Sequence, residues 1–234
     1  MRAVASTLFV VICEPPAGRE AAFHDWYDNV HGPDALENGS FTALRRYRAA
    51  GPGWCHARFI NLWEGEYASE KEAWAYIQPR AEELRARGRV SDLSGVIWAT
   101  MMVAVPTDGE GRADTTTLTT VQSDWRAPDA YPDPRMWLAD TGLEARAADM
   151  PHAYFTTDAE GRGAGYHLGL FESSGSIDEA TAAWSDFGTP GMSPTPAFKT
   201  MFGDEVGGAP AGVPEPDPAS AWTMHWELIS QTST

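Results

Sequence analysis

His31, Asp28 and Tyr27 are the residues of this 234-residue chain whose types and spacing best suit proton chemistry. A carboxylate three positions and a phenol four positions before a histidine lie on the same side of a helix, within side-chain reach. Such a histidine can shuttle protons near neutral pH. A helix that stops at Gly32-Pro33 leaves His31 at its C-terminal end, where the macrodipole favours a cation and raises the imidazole pKa. The competing reading is that His31 merely caps the last helix carbonyls.

Other side chains are candidates for substrate contact. Tyr47 follows Arg46 on a strand, so alternation sends the two to opposite faces, and the phenol is the better group to position a substrate oxygen. Arg45 and Arg46 read as ordinary exposed strand residues. Trp26 belongs to an apolar stripe and reads as core more often than as site, while Asp25 faces away and is solvated. Trp63, Trp98, Trp222 and Trp226, among ten tryptophans, suggest a deep aromatic interior suited to a planar, apolar ligand. His167 and His225 sit on strand-like runs, where two readings stand: a ligand inside the fold, in the extreme a haem iron, or a hydrogen-bonded core histidine. No flanking motif favours haem. His24, Asp28 and His31 share a helix face at i, i+4 and i+7, but three such ligands on one helix are not a common metal site, so no metal is expected. Cys13 and Cys55 make neither a disulfide framework nor a zinc site, although strand order brings the end of the first strand close to the start of the third.

The elements that must hold these groups are legible. Val4 to Cys13 is a β-branched apolar run ended by Pro15-Pro16, hence a strand. Phe23, Trp26, Tyr27 and Val30 fall at i, i+3, i+4 and i+7, the stripe of a helix over residues 19–30. Phe41 to Ala49 and His56 to Trp63 flank Gly51-Pro52-Gly53 as a hairpin, and Val96 to Val105 is a closing strand. Between them Ser69 and Glu72 form a capping box that opens a helix, which Pro79 kinks or divides. The order is β-α-β-β-α-β, a ferredoxin-like unit.

The same grammar returns in residues 108–234. Trp63-Glu64 before Ser69/Glu72 reappears as Phe171-Glu172 before Ser176/Glu179. Tyr47 precedes Glu64 by 17 positions, and Tyr154 precedes Glu172 by 18. Ile97-Trp98-Ala99-Thr100-Met101 is echoed by Ala221-Trp222-Thr223-Met224, and the first strand by Thr116 to Gln122. Matching order and spacing point to a duplication. The expected fold is therefore α+β: two tandem ferredoxin-like halves, residues 1–107 and 108–234, packed sheet to sheet as an intramolecular dimeric α/β barrel, because each sheet has an apolar face to bury. The boundary falls at Pro106 to Asp114. A long Gly- and Pro-rich insertion at residues 188–220 reads as a lid, with Phe198, Met201 and Phe202 available to close over a ligand.

The stretch Phe23-His24-Asp25-Trp26-Tyr27-Asp28-Asn29-Val30-His31-Gly32-Pro33, with Arg46-Tyr47 downstream, resembles the EthD-like branch of the dimeric α/β barrel superfamily. The resemblance is close over about the first 50 residues and rests on element order elsewhere. It implies the barrel fold and a menu of activities: muconolactone-type isomerases, polyketide cyclases, decarboxylases or dehydratases, cofactor-free monooxygenases and haem-dependent branches. The corresponding segment Met136 to Gly142 keeps Trp137 but has no counterpart of Asp28 or His31, so one half is expected to carry chemistry and the other to serve as scaffold.

Composition narrows the partners. Thirty-three acidic against 17 basic residues give a net charge of −16, which repels nucleic acid and anionic lipid alike. No apolar run approaches the roughly 18 residues of a membrane span, and cytoplasmic localisation is the default. Nucleotide-binding and serine-hydrolase motifs are absent. The sequence is thus read as a monomeric or homodimeric, cofactor-independent lyase, isomerase or cyclase, working by acid–base chemistry on a hydrophobic, aromatic or polyketide-like metabolite. A cofactor-free monooxygenase and a non-catalytic metabolite-binding protein are the alternatives.

Overall fold

The computed structural model of the chain describes residues 4–107, 115–127, 130–157, 165–194, 198–199, 205–206 and 221–234. The first part runs β1 (Thr7–Cys13), α1 (Glu20–Trp26), a π-helical turn (Tyr27–His31), α2 (Gly32–Glu37), β2 (Ala43–Ala50), β3 (Phe59–Gly65), α3 (Glu70–Ala86) and β4 (Val96–Ala104). The second runs β5 (Thr117–Ser123), α4 (Pro134–Thr141), α5 (Leu143–Ala147), β6 (His152–Thr156), β7 (His167–Ser173), α6 (Ile177–Trp184), β8 (Thr189–Pro190), β9 (Phe198–Lys199), β10 (Glu205–Val206) and β11 (Ala221–Ser233).

Eight strands form one antiparallel sheet in the order β2-β3-β1-β4-β6-β7-β5-β11, and β11 pairs with β2 to close it into a barrel. Closure removes the free edges that a four-stranded sheet would expose. The junctions differ in size. Between β4 and β6 only Val103↔Thr156 and Ala104↔Phe155 pair, whereas β11 pairs with β2 from His225↔Ala50 to Ser233↔Ala43, with a register shift between Leu228 and Ser230.

Strand alternation sorts side chains into two layers. Leu8, Val10 and Ile12 of β1 join Ile60, Leu62, Met102, Leu118, Leu168, Leu170, Met224 and Trp226 in one interior core drawn from both parts of the chain. Their neighbours Phe9, Val11 and Cys13 face outward under α1, α2 and α3. Val121, Tyr154 and Phe171 likewise face α4, α5 and α6. Each large apolar side chain removed from water in these layers contributes roughly 1.5–3 kcal/mol.

Several expectations need correction. The first helix does not stop at Gly32-Pro33: it passes through the π turn, in which Gly32 N–H bonds Tyr27 O, and continues as α2. The wider turn admits Pro33, which lacks an N–H and would crowd the carbonyl four residues back in a regular helix. Gly32 is required there, since a Cβ would come within 2.8 Å of Tyr27 O and 3.2 Å of Leu44 Cδ2. Pro79 does not divide α3 either; Arg80 Nη1 donates to the Tyr76 carbonyl at 2.8 Å in the turn that contains it. Ser69 caps α3, but the Glu72 carboxylate accepts from Ala68 N–H, one residue before the cap, so the reciprocal box is complete only at Ser176/Glu179. The two parts also do not stack as separate sheets; they join edge to edge. Of the predicted boundary and lid, residues 108–114, 195–197, 200–204 and 207–220, which include Met201 and Phe202, lie outside the described residues. Among the described residues, no helix is long and apolar enough to cross a membrane.

Candidate functional site

The helix carrying the motif lies across the outer faces of β2 and β3. Phe23, Trp26 and Tyr27 turn inward, and Trp26 is fixed by its Nε1–H donating to Arg89 O at 3.1 Å. His24 and Asp28, one turn apart, face β2. There Leu44 and Arg46 point outward, so Arg45 and Tyr47 point into the barrel. Both arginines are completely buried, against the expectation of exposed strand residues.

Arg46 organises the outer cluster. Its Nη1 donates to Asp28 Oδ1 at 2.5 Å, its Nη2 bonds His24 Nδ1 at 2.8 Å and its Nε donates to Asn61 Oδ1 at 3.3 Å. The guanidinium lies over the Tyr27 ring, 4.5 Å from its centroid. Ser230 of β11 adds a second donor to Asp28 Oδ1 at 2.9 Å. Because arginine only donates, His24 Nδ1 must carry its lone pair and the ring proton must sit on Nε2. The His24 imidazole is thereby held neutral: burial followed by the Arg46 charge lowers its pKa, against the opposing pull of Glu20, whose Oε1 lies 3.7 Å from Nε2. Deeper in, Tyr27 Oη meets Cys13 Sγ at 3.8 Å, and Asn61 Nδ2 approaches the same sulfur at 3.4 Å. Burial pushes the Cys13 thiol up to about 12 and holds the Tyr27 phenol well above 10, so both keep their protons.

His31 occupies different surroundings from those expected. It stacks on Trp26 at 4.4 Å with 7° between the rings and meets the edges of Tyr27 and Trp63, each at 5.1 Å. The helix continues past it, so no C-terminal dipole favours its charge. Burial lowers its pKa to about 4, with Asp34 opposing and Arg46 adding to the shift. Asp28 bonds Arg46 and Ser230 instead of His31. Tyr27, Asp28 and His31 are therefore neighbours on one helix without forming a hydrogen-bonded relay.

The other candidates separate into layers. Trp26 and Trp63 pack in the outer layer beside His31. Tyr47 and Trp98 are inside the barrel, where Trp98 stacks on Trp125 at 4.3 Å. His167 and His225 do not face the interior, because Leu168, Leu170, Met224 and Trp226 take those positions. His167 stacks on Trp137, with Nε2 2.7 Å from Tyr131 O and Nδ1 2.9 Å from Thr156 Oγ1; His225 Nδ1 lies 3.0 Å from Thr119 Oγ1. Cys13 and Cys55 are free thiols in different layers. Among the described residues no three His, Cys, Asp or Glu side chains converge as a metal site.

Sequence reasoning missed the groove next to this cluster. It has a volume of about 480 Å³ and is lined by His24 of α1, Arg48 of β2, Thr116 and Thr117, Gly175, Ser176 and Ile177 at the start of α6, and Glu227, Leu228 and Ile229 of β11. It lies over the β2–β11 junction, where the register shift brings Ile229 to the surface. Only the pairing of β2 with β11 assembles it, and no local pattern announces that pairing.

No family model matches the sequence, and no curated protein does. Solved structures match it in overall shape. A candidate chlorite dismutase is 8% identical, with 97% of this chain and 96% of that one covered at a TM-score of 0.47. A candidate monooxygenase from Lactobacillus acidophilus is 6% identical, with 98% and 96% covered at 0.46. A chlorite dismutase variant from Candidatus Nitrospira defluvii, in complex with cyanide, is 11% identical, with 97% and 92% covered at 0.45. Likenesses this distant assign no chemistry, which must come from the residues themselves.

Proposed function

We propose that this chain is a cofactor-independent enzyme of the lyase, isomerase or cyclase type, acting by proton transfer on an oxygen-bearing hydrophobic metabolite in the groove over β2 and β11. The reading includes a duplicated ferredoxin-like unit of the dimeric α/β barrel superfamily, in its EthD-like branch. The strand orders β2-β3-β1-β4 and β6-β7-β5-β11 support it, since each is that of a β-α-β-β-α-β unit.

The observation that carries the chemical reading is the 2.8 Å contact between Arg46 Nη2 and His24 Nδ1 at the groove wall. A neutral imidazole with its proton on Nε2 is a hydrogen-bond donor, and in the proposed step that proton turns from Glu20 Oε1, 3.7 Å away, to a carbonyl oxygen that gains negative charge. Asp28 is the base. Both its described bonds fall on Oδ1, and Asp28 stands one helical turn from His24, beside the groove rather than among its lining residues, so a ligand seated against His24 would have to reach past the wall to Oδ2. In the proposed step the C–H bond next to a carbonyl breaks, its proton passes to Asp28, and the electron pair moves into an enolate whose oxygen accepts the His24 Nε2–H. Reprotonation at carbon completes an isomerisation; attack of the enolate carbon on a second carbonyl makes a cyclase. Ile177 and Ile229 supply the apolar contact for such a ligand. Tyr27 and His31, neutral at physiological pH, pack the layer that holds Arg46.

The test uses 2-tetralone, an enolisable bicyclic ketone, in D₂O, with deuterium uptake followed by mass spectrometry. The intact protein should accelerate exchange, and Asp28→Asn or His24→Phe should slow it by roughly 10²–10⁴-fold while melting cooperatively. Exchange that is unchanged in both variants would refute the assignment. Turnover that consumes dioxygen would instead favour the monooxygenase, and saturable binding without exchange a binding protein.

A further inference from the structure

We infer that Arg48 is a specificity-determining residue that recognises a carboxylate on the ligand, so that the groove selects a ring-bearing keto acid. The inference rests on the groove being the substrate site. Among the described lining residues, Arg48 carries the single permanent positive charge and Glu227 the single negative one, because the Arg46 contact fixes His24 as neutral. Arg48 Nη2 and Glu227 Oε2 lie 3.1 Å apart with both side chains about half exposed, at 57% and 46%. Solvent-exposed pairs of this kind contribute little and exchange partners readily. A ligand carboxylate can therefore replace Glu227 on the guanidinium in the bidentate geometry that arginine favours.

Strand geometry gives the spacing. Arg46 and Arg48 stand two residues apart on the outer face of β2, about 7 Å along the strand. The carbonyl served by His24, which Arg46 holds, and the carboxylate held by Arg48 would then lie about that far apart, the scale of a fused ring, with Ile229 beside it. Glu227 would act as the counter-charge that keeps Arg48 extended over the empty groove and disfavours ligands lacking an anion.

Affinities of 2-naphthoate and 2-naphthamide, which differ in charge and little in shape, test this by calorimetry. The intact protein should bind the acid about tenfold more tightly than the amide, and added salt should narrow the gap. Arg48→Gln should abolish the preference and leave amide binding unchanged. Glu227→Gln should widen it, by freeing Arg48. A preference that survives Arg48→Gln, weaker acid binding in Glu227→Gln, or failure of the intact protein to bind either probe would overturn the inference. Binding is read without turnover, so loss of exchange activity with an intact acid preference would sink the proton-transfer reading alone.

Discussion

Replacing His31 with phenylalanine separates the two accounts of that histidine by the sign of a pH effect. Phenylalanine keeps the stack on Trp26 and removes the titration. In the folded chain burial lowers the His31 pKa from 6.5 to about 4. Below pH 6.5 the unfolded chain then binds a proton that the folded chain refuses. The contribution of His31 is complete above 6.5, shrinks as the pH falls and levels off below about 4. For that pair of values the loss is about 2 kcal/mol at pH 5 and about 3 kcal/mol at pH 4, an upper bound because the side chain retains some contact with water. Against a total stability of roughly 5–15 kcal/mol this is a readily measured share. His56, also lowered to about 4 by burial, titrates in both proteins and cancels in the difference. Urea unfolding followed by tryptophan fluorescence at pH 7, 6, 5 and 4 should show the parent losing stability faster than His31→Phe. A histidine favoured as a cation at a helix terminus would give the reverse order. Parallel curves would refute the burial argument. Exchange of 2-tetralone should fall less than tenfold in His31→Phe.

Three further outcomes follow from the packing. Arg45 pairs with both Glu64, at 3.3 Å, and Glu172 inside the barrel, so Arg45→Met strands two buried carboxylates and should cost about 3–5 kcal/mol in denaturant unfolding. Replacing all three with apolar residues of similar volume should recover most of that loss. Gly32→Ala forces a Cβ against Tyr27 O and should destabilise by more than the ~1 kcal/mol helix-propensity gain of alanine, lowering the thermal midpoint. Trp98→Ala removes the stack on Trp125 in the interior core and should cost roughly 3–5 kcal/mol, without shifting the pH dependence assigned to His31.

The early strands were readable because most are β-branched or aromatic runs between turn residues, and β1 to β5 lie within a few positions of their sequence-based ends, whereas β6 and β7 were marked only through Tyr154 and Phe171-Glu172. The π turn was not, since His-Gly-Pro carries every mark of a helix stop. Whether the helix stops is settled by space against Leu44 and β2, which lies outside any local window. The arginines were misread for a related reason. Charged residues on a strand read as exposed, and only partners far away in sequence, such as Glu172, 127 residues from Arg45, make burial tolerable. Matching Tyr47 with Tyr154 failed by one residue. Tyr47 pairs with Ile60 and faces in, whereas Tyr154 pairs with Gly169 and faces out, which is what a single slip does to a strand.

Ladder register also explains why the Arg46 cluster has no counterpart on the other side of the barrel. If Glu64 and Glu172 occupy equivalent positions, Asn61 corresponds to Gly169 and Cys13 to Ser123, while the pairings place Tyr154 where the first half has Arg46. The polar network of Arg46, Asn61 and Cys13 thus has aromatic and small residues as its counterpart, and Tyr154, Phe171 and Trp184 pack there as apolar core. The second half still completes the site, because Ser230 orients Asp28 and residues 175–177 and 227–229 wall the groove. Inside the barrel the asymmetry is the same: Arg45 serves both glutamates, and the register gives the second half Ala153 in its place. A symmetric pair of identical halves would bury two arginines with two glutamates and carry two copies of the outer cluster. Joining unequal halves in one chain lets a single cluster be kept and the other side be packed for stability.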